Sequence, residues 1–127
     1  MTLRRTAMTR RHRNTGPDAA TTLTVVVRSG GRCEICGWWD DYCQIHHRRP
    51  RAMGGTDRED TNSPANLLRA CITCHQRIES RRGEALHNGW LVSQYDNPAT
   101  VPVLITGNCW KYLTEEGEYT DDPPGER

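Results

Sequence analysis

The sequence contains no phenylalanine, only one lysine and no long hydrophobic run. Only 35% of its 127 residues are hydrophobic, which is little for a self-sufficient core. A core this poor usually needs a disulfide, a metal or a partner to stabilise it. The longest uncharged stretch, residues 97–110, is too short, too polar and too rich in proline to span a bilayer. We therefore expect a small domain with no membrane contact.

The N-terminus also lacks a continuous apolar segment, so we expect no secretory signal and a reducing, cytoplasmic environment. The chain has six cysteines. In a reducing compartment, closely spaced cysteines are more often metal ligands than disulfides. We expect a bound metal to supply the stability that the small core does not.

The charge is divided unevenly along the chain. Residues 1–82 contain 15 basic and 8 acidic residues, whereas residues 83–127 contain 2 basic and 8 acidic ones. The basic part suggests a polyanion as partner, and the acidic part suggests a solvated tail or a contact to a basic protein.

The composition predicts four segments. Residues 1–17 are a basic disordered arm, either a plain terminus or a DNA contact, and residues 18–88 hold the chemical motifs. Residues 89–113 are short strands packed on that domain, and residues 114–127 are an acidic disordered tail. Asp18 could cap a helix, but residues 25–27 favour a strand, so this element stays ambiguous. We expect a short strand over 43–47 and a helix that begins near Cys74 and ends by Gly83.

The strongest motif is a pair of C-x-x-C turns. Cys33 and Cys36 form the first, Cys71 and Cys74 form the second, and 34 residues separate them. Two such turns complete a closed four-cysteine zinc site. A thioredoxin-like dithiol would need only one pair, so the sequence predicts a structural zinc ion. We assign no role to Cys43 or Cys109.

Histidines and an asparagine lie in and next to the insertion between these turns. His46 and His47 are adjacent, Asn66 precedes the second turn, and His75 follows Cys74 directly. A zinc ion held by four thiolates does not need these imidazoles, so two of them could hold a second ion while the third acts as a base. Adjacent residues of a regular strand point to opposite faces, so this arrangement requires the strand to end or bend near His47.

These motifs resemble the HNH nucleases, in the subclass with a four-cysteine zinc site. The resemblance covers about residues 30–80. It implies a small, zinc-stabilised α+β domain with a ββα-metal (His-Me finger) core, short extra strands and disordered termini. The resemblance rests on Cys33–Cys36, Ile45-His46-His47, Pro50-Arg51, Gly54-Gly55, Asn66-Leu67-Leu68 and Cys71–His75.

The resemblance also implies roles for individual residues. His46 and His75 would bind one catalytic divalent ion, which could be Mg²⁺, Mn²⁺, Ni²⁺ or Zn²⁺. His47 would be the general base, and Asn66 would orient the loop and the base through backbone hydrogen bonds. The reaction implied is hydrolysis of a DNA phosphodiester bond.

Three arginines follow the histidine pair. Arg48, Arg49 and Arg51 could hold the phosphate backbone without reading its sequence. We therefore expect DNA as the partner of this segment.

The segment after residue 88 resembles that of short HNH proteins encoded near the packaging genes of tailed phages of actinobacteria. We expect a metal-dependent endonuclease that nicks DNA. The weaker resemblance implies that it assists phage DNA packaging in the host cytoplasm, with the terminase large subunit as a partner. The alternative is a non-catalytic, zinc-stabilised adaptor that binds DNA or a packaging protein.

Overall fold

The computed structural model describes residues 16–50 and 59–125. The predicted basic arm up to residue 15, Arg51 and the Gly54-Gly55 pair lie outside this part of the chain. Its secondary structure comprises three α-helices, two 3₁₀ turns and five short strands. In chain order these are α1 (Ala19–Ser29), β1 (Gln44–His47), a first 3₁₀ turn (Pro64–Asn66), β2 (Leu67–Ala70), α2 (Ile72–Ser80), α3 (Arg82–His87), a second 3₁₀ turn (Pro98–Thr100), β3 (Val103–Ile105), β4 (Cys109–Leu113) and β5 (Tyr119–Thr120).

Helix α1 resolves the ambiguity at the start of the domain. The Asp18 side chain accepts a hydrogen bond of 2.8 Å from the Thr21 amide, and Gly30 ends the helix in the left-handed conformation. These two caps satisfy backbone groups at both ends, and they outweigh the strand preference of the three valines. Within the described residues, no helix is both long and apolar enough to cross a membrane.

The core of the domain is a ββα unit, as the resemblance implied. Strands β1 and β2 pair antiparallel, with His46 opposite Leu68 and His47 opposite Leu67. Helix α2 follows β2 directly and begins at Ile72, two residues before the expected start. The earlier start has a local cause, because the Cys71 sulfur accepts the Cys74 amide and caps the helix.

The C-terminal part forms a second, three-stranded sheet in the order β3-β4-β5. Residues 114–125 are therefore not the disordered tail that their acidic composition predicted. Tyr119 of β5 lies opposite Leu113 of β4, and its hydroxyl donates a 2.6 Å hydrogen bond to the buried Glu34 carboxylate. This long-range contact orders a segment whose composition alone favours disorder.

Glu34 also anchors helix α1 to the first C-x-x-C turn. Arg28 of α1 donates to both of its carboxylate oxygens, at 2.8 and 2.9 Å, and the Arg69 amide donates a third hydrogen bond. Both side chains are almost fully buried. Because each charge is hydrogen-bonded, the pair can be held inside the protein.

Arg48 is buried, and no carboxylate of the described residues pairs with it. Its guanidinium instead donates to four backbone carbonyls, those of Ala65, Gly89, Pro98 and Val101, at 2.7 to 3.0 Å. Burial lowers its pKa to about 9, so the side chain remains a cation at neutral pH. Arg48 thereby joins the end of β1 to both 3₁₀ turns and to the segment after α3.

We expect Arg48→Met to destabilise the fold by roughly 3 kcal/mol or more, because several buried carbonyls would lose their only described donor. Urea unfolding of the zinc-loaded protein measures this loss. Arg82→Met is the matched control, since the Arg82 side chain is largely exposed, and it should change the stability little. Equal stability of the two variants would show that Arg48 does not hold these segments together.

Candidate functional site

Four cysteine sulfurs meet between the first turn and the start of α2. The sulfurs of Cys33, Cys36, Cys71 and Cys74 all lie within 4.8 Å of one another, and those of Cys36 and Cys71 are 3.8 Å apart. Zn–S bonds of about 2.3 Å in a tetrahedron place sulfurs about 3.8 Å apart. The donor set and its spacing therefore fit a structural zinc ion.

The backbone also prepares these sulfurs for a metal. The Cys36 amide points at the Cys33 sulfur, and the Cys74 amide points at the Cys71 sulfur, each at 3.5 Å. The hydrogen bond between the Cys33 and Cys74 side chains lowers the pKa of Cys33 and raises that of Cys74. Since a metal binds thiolates, its binding would release the remaining thiol protons.

His46 lies inside the domain with one ring nitrogen fixed. Its Nε2 is 2.8 Å from the backbone oxygen of Trp90, and the residue is only 6% exposed. A carbonyl can only accept, so Nε2 carries the proton and Nδ1 carries the lone pair. Burial lowers the pKa of His46 to about 4, which keeps the ring neutral at physiological pH.

His75 brings a second imidazole next to His46. Their ring centroids are 5.5 Å apart, with the rings nearly perpendicular. Two imidazoles on one tetrahedral ion have centroids about 5 Å apart, so the spacing of this pair is compatible with a shared ion, and their role as metal ligands stays a prediction. The Glu79 carboxylate lies 4.0 Å from the Nε2 of His75, one turn further along α2. In residues 16–50 and 59–125, however, the four cysteines form the only compact group of three or more potential metal ligands.

His47 is the last residue of β1 and has a different neighbour from His46. Its Nε2 lies 2.8 Å from the Oδ1 of Asn62, in the turn that precedes the first 3₁₀ turn. The strand thus ends at the position where the two-histidine hypothesis required an end or a bend.

Asn66 is fully buried and ties two chain segments together. Its Oδ1 accepts the Arg49 amide at 2.7 Å, and its Nδ2 donates to the backbone oxygens of Arg49 and Thr61. Its own carbonyl accepts the Arg48 amide at 2.7 Å. These bonds hold the chain just after His47 against the turn that contains Asn62.

The prediction that Arg48 and Arg49 contact DNA is wrong for this conformation. Arg48 is fully buried and donates to four carbonyls, as described above. The Arg49 side chain is 6% exposed, and its guanidinium pairs with Asp60 and donates to the backbone oxygen of Asp96. Both side chains satisfy internal acceptors, so neither is available to phosphate. Arg51, the third predicted contact, lies outside the described residues.

The comparisons with known proteins agree with this geometry. The family model described as HNH endonuclease matches residues 33–81. The chain contains an HNH domain. The match starts at the first cluster cysteine and ends just after α2, so it includes the whole ββα unit. No curated protein and no solved structure matches the chain.

The sequence did not point to two polar partners of the HNH domain. Asn62 contacts His47, and the Trp90 carbonyl contacts His46. A backbone oxygen has no sequence signal, and Asn62 stands in a segment whose Asn, Ser and Pro residues are typical of any turn.

We expect the purified protein to hold about one tightly bound zinc ion, measured by elemental analysis. Cys71→Ser should lose this zinc and unfold the HNH domain, because the metal supplies much of its stability. Cys109→Ser is the control, since Cys109 is exposed and lies outside the cluster, and it should keep both zinc and fold. A Cys71→Ser protein that is well folded without zinc would contradict the structural role.

We expect the stability of the HNH domain to fall as the pH drops from about 6.5 towards 4. In this window the unfolded state protonates His46 while the folded state does not, so protons favour unfolding. Between about pH 7.5 and pH 5, wild type should lose about 2 kcal/mol more than His46→Leu, which cannot titrate at this position. Urea unfolding of both proteins at each pH measures the difference, and parallel losses would contradict a depressed His46 pKa.

Proposed function

We propose that this protein is a metal-dependent endonuclease that hydrolyses phosphodiester bonds of DNA, one strand at a time. The HNH domain supports nuclease activity in general. The observation that supports the proposal most directly is the His46–His75 pair, with ring centroids 5.5 Å apart, beside a His47 that ends its strand. A structural zinc domain alone requires none of these three imidazoles.

The size of the barrier explains why both a metal and a base are needed. Phosphodiester hydrolysis is so slow without a catalyst that an enzyme must remove roughly 20 kcal/mol. A well-placed general base contributes roughly 10²–10⁴-fold, equivalent to about 3–5.5 kcal/mol. A divalent ion, when bound, neutralises charge that develops on the phosphate and the leaving oxygen. Positioning of the reactants supplies several kcal/mol more.

The residues divide this work as follows. His46 and His75 would hold the divalent ion, for which Mg²⁺, Mn²⁺, Ni²⁺ and Zn²⁺ are candidates, and would leave its other positions to phosphate and water. The Trp90 carbonyl keeps the proton of His46 on Nε2, so Nδ1 would be the atom that binds the ion. His47 would take the proton from the attacking water. Asn66 would hold the chain that follows the base in place.

DNA contacts would come from side chains other than Arg48 and Arg49. Arg51 remains a proposed contact, together with exposed arginines of the basic two-thirds of the chain. Arg81 and Arg82 are exposed at the junction of α2 and α3, close in sequence to the proposed ligand His75. Such contacts would bind the phosphate backbone without sequence preference.

A role in phage DNA packaging, with the terminase large subunit as partner in the host cytoplasm, rests on the sequence resemblance alone. The described residues offer no separate support for it. The second candidate function is a non-catalytic adaptor that binds DNA or a packaging protein through the zinc-stabilised domain. The burial of Arg48 and Arg49 removes two expected phosphate contacts from the proposed nuclease site, and this is its only support for the second candidate.

Relaxation of supercoiled plasmid separates the two candidates. The wild-type protein with a divalent metal should produce nicked circles. His47→Ala should reduce the rate by roughly 10²–10⁴-fold while it keeps zinc and fold, because only the base is lost. The exposed His87, which lies at the end of α3, provides the control variant His87→Ala, and this protein should nick like wild type. A wild type that binds DNA and never cleaves it with any of the four metals would establish the adaptor instead.

Titration calorimetry with Mn²⁺ or Ni²⁺ distinguishes metal ligands from the base. His46→Ala and His75→Ala should weaken binding of the catalytic ion, because each removes one of two imidazole ligands. His47→Ala should leave this affinity nearly unchanged, and the cysteine-bound zinc should stay in all three variants. Equal loss of metal in His47→Ala and His46→Ala would refute the division of roles within the pair.

A further inference from the structure

We propose that Asn62 is a positioning residue that keeps the proton of neutral His47 on Nε2 and presents Nδ1 as the basic atom. The inference rests on the contact itself, in which the Asn62 Oδ1 lies 2.8 Å from the His47 Nε2. Its catalytic consequence, although not the contact, rests on the proposed nuclease function.

The chemistry of the two groups fixes the direction of this hydrogen bond. An amide oxygen only accepts, so the imidazole nitrogen that faces it must donate. A neutral imidazole carries one proton, and with that proton on Nε2 the lone pair resides on Nδ1. A hydrogen bond of ordinary strength biases the two tautomers by roughly tenfold. Asn62 would thus determine which nitrogen of His47 can receive a proton from water.

The surroundings of Asn62 hold it in place for this role. The buried Asn66 donates to the backbone oxygen of Thr61, the residue before Asn62, and the Ser63 amide donates to Asp60 across the same turn. Asn66 also binds both backbone groups of Arg49, two residues after His47. One buried side chain therefore fastens the turn that carries Asn62 to the chain that follows His47.

His46 shows the same arrangement with a different acceptor. Its Nε2 donates to the Trp90 carbonyl, so both histidines of the pair carry their protons on Nε2. For a metal ligand and for a base alike, an acceptor on Nε2 makes Nδ1 the reactive atom. The two acceptors lie on different segments, so each tautomer can be tested separately.

The test measures the tautomer directly and needs no nuclease activity. Two-bond ¹H–¹⁵N correlation spectra of the zinc-loaded full chain, recorded at about pH 8 where a free imidazole is neutral, report which ring nitrogen bears the proton. A His47→Gln spectrum assigns the His47 signals. Wild type should show a protonated Nε2 and an unprotonated Nδ1 for His47. Asn62→Ala should move both nitrogen shifts towards a mixture of tautomers.

Two further variants distinguish positioning from a general effect on the turn. Asn62→Asp keeps an acceptor oxygen opposite His47 and should retain the wild-type tautomer of His47. If Asn62 only stabilised the turn, the tautomer would not depend on this oxygen. Ser63→Ala removes the side chain that accepts the Ala65 amide in the same turn but leaves the Asn62 contact, and it should also keep the wild-type spectrum. A wild-type His47 with its proton on Nδ1, or an Asn62→Ala spectrum equal to that of wild type, overturns the proposal.

Kinetics then test the catalytic consequence. Asn62→Ala should lower kcat for plasmid nicking by roughly tenfold with KM and metal affinity unchanged, and Asn62→Asp should recover most of the loss. If Asn62→Ala shifts the tautomer but leaves kcat unchanged, the tautomer does not control catalysis and the positioning role is refuted. If wild type does not cleave DNA at all, the proposed function fails, while the spectra still decide the Asn62–His47 contact.

Discussion

The convergence of four cysteine sulfurs is the constraint on which the rest of this domain depends. Each pair lies in a tight turn, and the second turn is also the start of α2. The position of the cluster therefore fixes where His75 and Glu34 stand, because each directly follows a cluster cysteine. With so few hydrophobic residues, the chain would gain from a zinc ion at this cluster what larger domains gain from burial, on the order of 10–16 kcal/mol of apparent binding free energy. The hydrophobic residues present then need only close the space around the cluster.

Arginine has an unexpected internal use in this fold. Arg28 and Arg48 are both buried, one against the Glu34 carboxylate and the other against backbone carbonyls. The planar guanidinium can serve several acceptors at once, and it remains charged where a lysine would tend to lose its proton. Some positive charges that sequence composition attributes to a nucleic-acid surface are thus structural, and residues 16–50 and 59–125 expose fewer arginines than their sequence suggests.

The features that sequence predicts here are those carried by a recognisable motif. The double C-x-x-C and the histidine pair are read directly from their spacing, and the ββα core follows from the family resemblance that these motifs carry. The burial of Arg48 does not, because its acceptors lie 17 to 53 residues away. Order in the acidic C-terminal segment has the same origin, since Tyr119 meets Glu34 across 85 residues. Helix α1 is an intermediate case. Its sequence has helix and strand propensities of similar strength, and the capping Asp18 together with Gly30 favours the helix.

The segment after α3 completes the HNH domain from outside its recognised limits. The Trp90 carbonyl orients His46, and three of the four acceptors of Arg48 lie beyond residue 81, where the family match ends. A fragment cut at that limit would keep the four cluster thiols and the imidazoles of His46, His47 and His75. It would lose the carbonyl that orients His46 and most of the acceptors of the buried Arg48. The structural unit is therefore larger than the unit that sequence similarity recognises. Two proteins with the same motif residues but different C-terminal segments can consequently differ in how well those residues are aligned.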